Sequence, residues 1–151
     1  MNGFCEEPLS SFFKGPGRTV LKPGDIATAI AFPLPPKNSA GRYVKLGRNA
    51  IGDLAIVGVT VLGYSDASAA SGYSFRIVLA SVAPLPLVAK TAEVILSEEP
   101  ITEATIEDAA QAAMEACTPI DDVRGSARYR KLMVRNLTKK ALMDVWSRIG
   151  G

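Results

Sequence analysis

The segment Leu54–Leu62 reads Leu-Ala-Ile-Val-Gly-Val-Thr-Val-Leu, and it limits the possible folds of this chain more than any other feature. It is nearly continuous in apolar residues, many of them β-branched, which is typical of a strand buried on both faces. The run is far shorter than the ~20 residues that a membrane-spanning helix needs. The sequence therefore predicts a central strand at Leu54–Tyr64 and no membrane span.

Two further strand candidates flank this run. Arg42–Arg48 precedes it, and Gly72–Val82 follows it after a stretch of serine, alanine and aspartate. A connection of that length is compatible with an antiparallel hairpin. We therefore expect the strands to form an antiparallel meander.

The second half of the chain is predicted to be helical. Prolines end the last strand, and we place the first helix at Leu87–Leu96. Thr102 opens a second helix that runs through Cys117, and Ser126 is placed as the N-cap of a third, longer helix. Apolar residues recur along this third helix at spacings of three and four, and we expect the stripe to face the sheet: Tyr129, Leu132, Met133, Leu137, Ala141, Leu142, Val145 and Ile149.

Strands followed by helices argue against alternating parallel units. We expect an α+β fold, a two-layer sandwich in which an antiparallel sheet of three to four strands packs against three helices. A hydrophobic content of 48% in 151 residues is consistent with one core of this kind.

The amino-terminal residues contain many prolines and glycines, which forbid a long helix and predict a loop-rich segment. Asp25–Phe32 has the pattern of one short strand. Pro33–Pro36 contains three prolines that lack an amide donor, so it cannot continue a strand ladder. We place a domain boundary there, between residues 1–33 and 34–151.

The chain has no histidine, which removes the usual general base, the common nucleophile pairs and the commonest zinc ligand. Cys5 and Cys117 form no C-x-x-C unit, so neither a redox pair nor a metal site is indicated. We expect Cys5 to be an exposed thiol and Cys117 to pack within a helix. The sequence assigns no catalytic residue and no metal ligand.

The amino terminus carries Glu6 and Glu7 where an export signal would carry basic residues, so we expect a cytoplasmic location. The net charge of +2 is too small to argue for a nucleic-acid or membrane partner.

Charge is segregated in the helical half. Residues 93–122 contain nine of the fifteen acids and no Lys or Arg, whereas residues 124–148 contain eight basic residues and one acid. The simpler interpretation is an acidic and a basic helix that lie side by side and partly neutralise each other. The alternative is a basic docking face.

Three separated motifs occur in order along the chain: Phe12–Leu21 (FFKGPGRTVL), Arg42–Val57 (RYVKLGRNAIGDLAIV) and Asp121–Arg130 (DDVRGSARYR). Together they resemble the carboxy-terminal part of the flavoprotein (medium) subunit of carbon monoxide dehydrogenases and related molybdenum hydroxylases, including xanthine dehydrogenase. The resemblance covers nearly the whole chain.

The resemblance implies an FAD-dependent oxidoreductase subunit that relays electrons from iron-sulfur clusters through FAD to an acceptor. Residues 1–33 would be the last stretch of the FAD-binding domain, and residues 34–151 the CO dehydrogenase flavoprotein C-terminal domain. The implied partners are the N-terminal FAD-binding domain and the molybdopterin and iron-sulfur subunits. The pyrophosphate-binding loops of that family have no counterpart here, so we expect the chain alone to be inactive and not to bind FAD tightly.

The resemblance also implies three cofactor-binding residues. Lys45 matches a strand lysine that lies near the flavin, and Ile26 with Ala27 matches a short stretch whose backbone approaches the isoalloxazine ring. A positive charge beside the ring would tune its redox potential. Without the resemblance, Lys45 would be interpreted as an ordinary exposed strand lysine.

The other motif residues are expected to be structural. Asp53 would pair with Arg48 or cap a turn, while Asp122 and Arg124 would fix the loop before the last helix and Tyr129 would pack. For this last group, a contact with a neighbouring subunit is the functional alternative. A different class of function also stays open: a free-standing interaction module that docks an acidic protein through the basic helix.

Overall fold

The computed structural model describes residues 3–49 and 52–150. Ala50 and Ile51, which belong to the second motif, lie outside the described residues. The chain divides into two compact units, Met1–Leu34 and Pro35–Gly151.

The first unit has little regular structure, as its prolines and glycines predict. It contains one helical turn, α1 (Leu9–Phe12), and a hairpin of β1 (Phe13–Gly15) and β2 (Arg18–Thr19). The strand predicted at Asp25–Phe32 is wrong, because these residues form no regular secondary structure. No strand of the described part of this unit pairs with them, so they lack the ladder of backbone hydrogen bonds that a strand requires.

The second unit is built on a four-stranded antiparallel sheet. Strand β3 (Ser39–Leu46) pairs with β4 (Val57–Ser65), which pairs with β5 (Tyr73–Ala80), and the two-residue strand β6 (Leu87–Val88) lies on the outer edge of β5. The strands are adjacent in chain order. The predicted meander is therefore confirmed.

The residues of β4 alternate between two faces of the sheet. Val57, Val59 and Val61 are fully buried on the face that meets the helices. On the other face Thr60 is exposed, so the expectation of a strand buried on both faces is wrong for one of them. The reason is that the helices of this unit all form one layer on a single side of the sheet.

That layer consists of α2 (Lys90–Glu98), α3 (Glu103–Ala116) and α4 (Ala127–Ile149). The hydroxyl oxygens of Thr102 and Ser126 accept hydrogen bonds from the backbone at the starts of α3 and α4, as their N-cap assignment predicts. The first helix begins three residues later than predicted, because the backbone of Leu87–Ala89 is bonded to β5. Among the described residues, no helix is both long and apolar enough to span a membrane.

The buried stripe of α4 differs from the predicted one at its start. Tyr129 is 41% exposed and Leu132 is 42% exposed, so these two residues do not face the sheet. The side chains that point inward at the required spacing are Arg130, Val134, Thr138, Ala141, Leu142 and Val145. Arg130 occupies the first position of this buried stripe. A search for apolar residues at helical spacing does not identify this position, because arginine is charged.

The acidic helix and the basic helix lie side by side. Arg135 of α4 pairs with Glu107 of α3 at 2.5 Å, and Lys139 contacts Glu107 at 2.9 Å and Glu103 at 3.4 Å. Hydrogen bonds from Lys139 and Arg135 hold the pKa of Glu107 below its ordinary value. The simpler interpretation of the charge segregation is therefore confirmed. Because Arg135 and Lys139 are paired with acids of α3, they would contribute little to a basic docking face on α4.

Candidate functional site

The open face of the sheet, on the side away from the helices, carries the lysine that the sequence singles out. Lys45 is exposed at the end of β3, and in the sheet register it lies opposite Gly58, which lies opposite Ala80. The ring of Tyr43 lies over Gly58, because a methyl group at that glycine would come within 3.4 Å of the tyrosine hydroxyl. Gly58 is therefore buried beneath this ring, and the surface next to the lysine is the exposed side chain of Tyr43.

The ammonium of Lys45 is tied to the chain that joins β3 to β4. Its Nζ donates a hydrogen bond to the carbonyl oxygen of Asp53 at 2.5 Å. We define the β3–β4 connection by its described residues, 47–49 and 52–56. The bond restricts the ammonium to the edge of the open face without burying it.

Asp53 fixes the same connection through its carboxylate. This carboxylate accepts a hydrogen bond from the backbone amide of Arg48 and lies 3.8 Å from the guanidinium of that residue. The amide bond is the main cause that holds the pKa of Asp53 below its ordinary value, so the group is ionised at neutral pH. The predicted structural role, pairing with Arg48, is confirmed.

Arg130 is buried at the same end of the sheet, with only 3% of its surface exposed. Its Nη1 donates to the carbonyl of Ile56 at 2.7 Å and to the carbonyl of Ser81 at 3.0 Å. Its Nη2 donates to the Asp122 carboxylate at 2.6 Å. One side chain thus joins the start of β4, the end of β5 and the loop before α4.

Asp122 is the counter-ion of this arginine and the centre of its own loop. Its carboxylate also accepts from the backbone amide of Arg124 at 2.8 Å and pairs with that guanidinium at 3.0 Å. The Arg124 amide and the Arg130 guanidinium lower the pKa of Asp122 from 3.8 to about 2. The predicted roles of Asp122 and Arg124 in fixing this loop are confirmed, but the interior role of Arg130 was not foreseen.

The loop before α4 presents apolar side chains to solvent. Val123, at the tip of the turn between Asp122 and Gly125, is 94% exposed, and Ile120 is 73% exposed. Tyr129 packs beside Gly125, where a methyl group would lie 3.3 Å from its ring. At this end of the second unit, the buried Arg130 holds the interior by hydrogen bonds, and Ile120 and Val123 form an apolar outer surface.

Ile26 and Ala27 belong to the first unit, where both are exposed in a segment without regular structure. Lys45 belongs to the second unit, and the assignment of all three residues to a common cofactor site stays a prediction. Among the described residues, no group of three or more Cys, Asp or Glu side chains is placed to hold a metal ion. Cys117 is buried and Cys5 is exposed, as expected.

Comparison with known proteins gives the site a context. The family model described as the CO dehydrogenase flavoprotein C-terminal domain matches residues 42–145. The chain is 31% identical to the carbon monoxide dehydrogenase medium chain of Hydrogenophaga pseudoflava over 147 residues, covering 97% of this chain and 50% of that protein. It is 25% identical to a xanthine dehydrogenase FAD-binding subunit of Escherichia coli, covering 95% of this chain and 49% of the other.

A solved structure agrees with these relatives. The reconstituted CO dehydrogenase from Oligotropha carboxidovorans superimposes with a TM-score of 0.81 at 30% identity, covering 91% of this chain and 47% of that chain. The chain therefore spans about half the length of the curated relatives that it matches. These matches do not favour the free-standing interaction module.

Proposed function

Because the chain belongs to the family of CO dehydrogenase flavoprotein C-terminal domains, we propose that it forms one wall of the flavin site in an FAD-dependent oxidoreductase subunit. The parent subunit would relay electrons from iron-sulfur clusters through FAD to an acceptor, as part of a molybdenum hydroxylase. The relatives named as a medium chain and an FAD-binding subunit support this assignment. Since they are about twice as long as this chain, the other FAD contacts would come from polypeptide that matches their remaining half.

The position of Lys45 is the observation that carries the proposal. Lys45 is exposed on the open face, opposite Gly58 in the sheet register, and its ammonium is held by the Asp53 carbonyl. The Tyr43 ring lies over Gly58 and is exposed, so it offers an aromatic surface next to the lysine on which a planar ring could stack. A cation at the border of such a surface stabilises negative charge on a ring placed there.

The described residues fit the ring of FAD better than its pyrophosphate. Gly47 and Gly52 have the spacing of a phosphate-binding loop, but Asp53 follows where that loop carries lysine. The Asp53 carboxylate is ionised and accepts the amide of Arg48, so this connection presents negative charge and has fewer amides for an anion. We therefore assign the pyrophosphate to polypeptide that corresponds to the half of the relatives outside the match.

When bound, FAD would supply the reversible storage of electrons, and this chain would supply its electrostatic surroundings. Lys45 would favour the ring when it carries negative charge and so raise its reduction potential. The backbone at Ile26 and Ala27 would form a second part of the ring's surroundings. None of these residues needs to exchange a proton for this role.

The partner assignments belong to the same proposal. The N-terminal FAD-binding domain would cover the open face, and the molybdopterin and iron-sulfur subunits would contact other surfaces. The exposed apolar tip formed by Ile120 and Val123 is one surface suited to such a contact.

Titration with FAD tests the proposal. The isolated chain should not bind FAD tightly, whereas a subunit in which it replaces the matching half of the Hydrogenophaga pseudoflava medium chain should bind it. We call this second protein the joined subunit. A dissociation constant of about 1 µM or lower for the isolated chain would contradict the partial-wall assignment. Failure of a folded joined subunit to bind FAD would contradict the flavin assignment itself.

A further inference from the structure

Arg130 is an arginine that the fold holds in its interior. Its side chain is 4% exposed, and it is bonded to the carbonyls of Ile56 and Ser81 and to the carboxylate of Asp122. A weaker contact joins its Nε to the carbonyl of Gly125 at 3.5 Å. Burying a guanidinium is costly unless it is paired and its donors are satisfied. An apolar residue at this position of α4 would avoid the cost of burying a charge. The presence of an arginine here therefore points to a role for its hydrogen bonds.

The carbonyl of Ile56 leads from this arginine to the candidate site. The amide of Ile56 donates to the carbonyl of Leu46 at 2.7 Å, which closes the base of the β3–β4 connection. Leu46 directly follows Lys45 in β3. Through the single residue Ile56, Arg130 thus holds the point where the connection returns to the sheet.

The connection in turn holds the ammonium. Asp53 lies three residues before Ile56, its carbonyl accepts from Lys45, and its carboxylate accepts from the amide of Arg48. The path from Arg130 to Lys45 therefore runs through Ile56 and Asp53, with each hydrogen-bonded step defined by named atoms. Arg124 makes a different set of contacts, because it pairs with Asp122 but has no bond to Ile56 among the described residues.

We propose that Arg130 is a positioning residue for Lys45: it anchors the β3–β4 connection through the Ile56 carbonyl and so keeps the lysine ammonium at the border of the open face. The consequence for a flavin rests on the proposed function, whereas the anchoring itself does not. Asp122 takes part by neutralising the buried guanidinium and orienting its Nη2 edge.

The anchoring is tested on this chain without any cofactor. Variants Arg130→Met and Arg130→Lys are compared with the control Arg124→Met, which removes the other cation at Asp122. Hydrogen exchange is followed at the amides of Arg48 and Ile56, and at the amide of Ser68, which is bonded to Asp66 in the β4–β5 turn. Losing a hydrogen bond from a charged donor should speed exchange at Arg48 and Ile56 about tenfold, with Ser68 unchanged.

The position of the lysine has its own readout. Each variant is treated with a limiting amount of an acylating reagent, and the labelling rates of Lys45 and Lys140 are compared by mass spectrometry. We expect the Lys45 rate to rise about threefold in both Arg130 variants, relative to Lys140, and to stay unchanged in Arg124→Met. If Arg130→Met fails to fold, Arg130→Lys, which keeps the charge but not the fork of donors, decides the result.

Unchanged exchange at Arg48 and unchanged Lys45 labelling in a folded Arg130 variant would overturn the proposal. A uniform change at all amides and lysines would also overturn it, because that result describes general loss of stability and not positioning. These outcomes are independent of FAD, so they are separate from failure of the joined subunit to bind the cofactor.

Discussion

Arg130 donates a hydrogen bond to the carbonyl of Ile56, a residue 74 positions earlier in the chain, over 2.7 Å. The bond joins the last helix to the start of the central strand, at the end of the sheet where Lys45 lies. It connects the stability of the second unit to the geometry of the candidate site.

Replacing Arg130 with methionine should destabilise the chain by about 3–5 kcal/mol, because the Asp122 carboxylate and two carbonyls lose their buried partner. Arg124→Met should cost less than about 1 kcal/mol, since that side chain is 29% exposed and its ion pair is screened by water. Urea unfolding curves for the two variants measure the difference. Equal losses would show that Arg130 is no more than a second surface partner of Asp122.

The pH dependence of stability should carry the signature of Asp122. Its pKa is lowered from 3.8 to about 2 in the folded chain, so the unfolded chain binds more protons in the interval between these values. The stabilisation is fully present above pH 3.8 and is lost as the pH falls towards 2. The variant Asp122→Asn should therefore lose part of the slope in free energy of unfolding against pH below pH 4, and a slope equal to that of the original chain would be inconsistent with this pKa.

Thr138→Val should stabilise the chain. The hydroxyl of Thr138 is fully buried and has no hydrogen-bond partner among the residues that the structure describes, and valine has nearly the same shape without the polar group. We expect a gain of about 1 kcal/mol. Thr105→Val is the matched control and should lose a similar amount, because that hydroxyl donates to the carbonyl of Pro100 at 2.8 Å. Thermal unfolding measures the stability of both variants. A loss of stability in Thr138→Val would show that the Thr138 hydroxyl makes a favourable interaction in the folded chain.

Only one of the two thiols should react in the folded chain. Burial raises the pKa of the Cys117 thiol from 9.0 to about 11, and its sulfur donates to the carbonyl of Ala113, whereas Cys5 is exposed. A disulfide reagent at about pH 8 should therefore modify one thiol per native chain and two per unfolded chain. Cys5→Ser should abolish the native reaction. Rapid reaction of both thiols without denaturant would mean that α3 is not held against the sheet.

The sequence predicts the second unit well because its signals are local. The strand in the apolar run and the caps at Thr102 and Ser126 depend on neighbours a few residues away, and the structure confirms that each is present. The strand begins at Val57, however, and its predicted burial on both faces was wrong for one face, because burial depends on where the helices pack. Asp25–Phe32 fails because a strand also requires a partner, which its own residues do not specify.

The candidate site is only partly readable from the sequence for the same reason. The resemblance identified Lys45, and it also implied a structural role for Asp53, either pairing with Arg48 or capping a turn. Arg130 was missed because its interior role depends on the carbonyls of Ile56 and Ser81, which approach it only after folding. A charged residue at the spacing of the buried stripe was the signal that could have identified it.

The reduction potential of bound FAD in the joined subunit tests the central claim most directly, with Lys45→Met compared with Lys140→Met. Removing the ammonium beside the ring should lower the potential by an amount on the order of tens of millivolts, because negative charge on the ring loses its partner. Lys140, exposed on the helical layer, should have no effect. If the Lys45 variant keeps both the reduction potential and the FAD affinity of the original joined subunit, this lysine does not border the flavin. The open face of the sheet is then not the flavin-binding surface, which contradicts the proposed function.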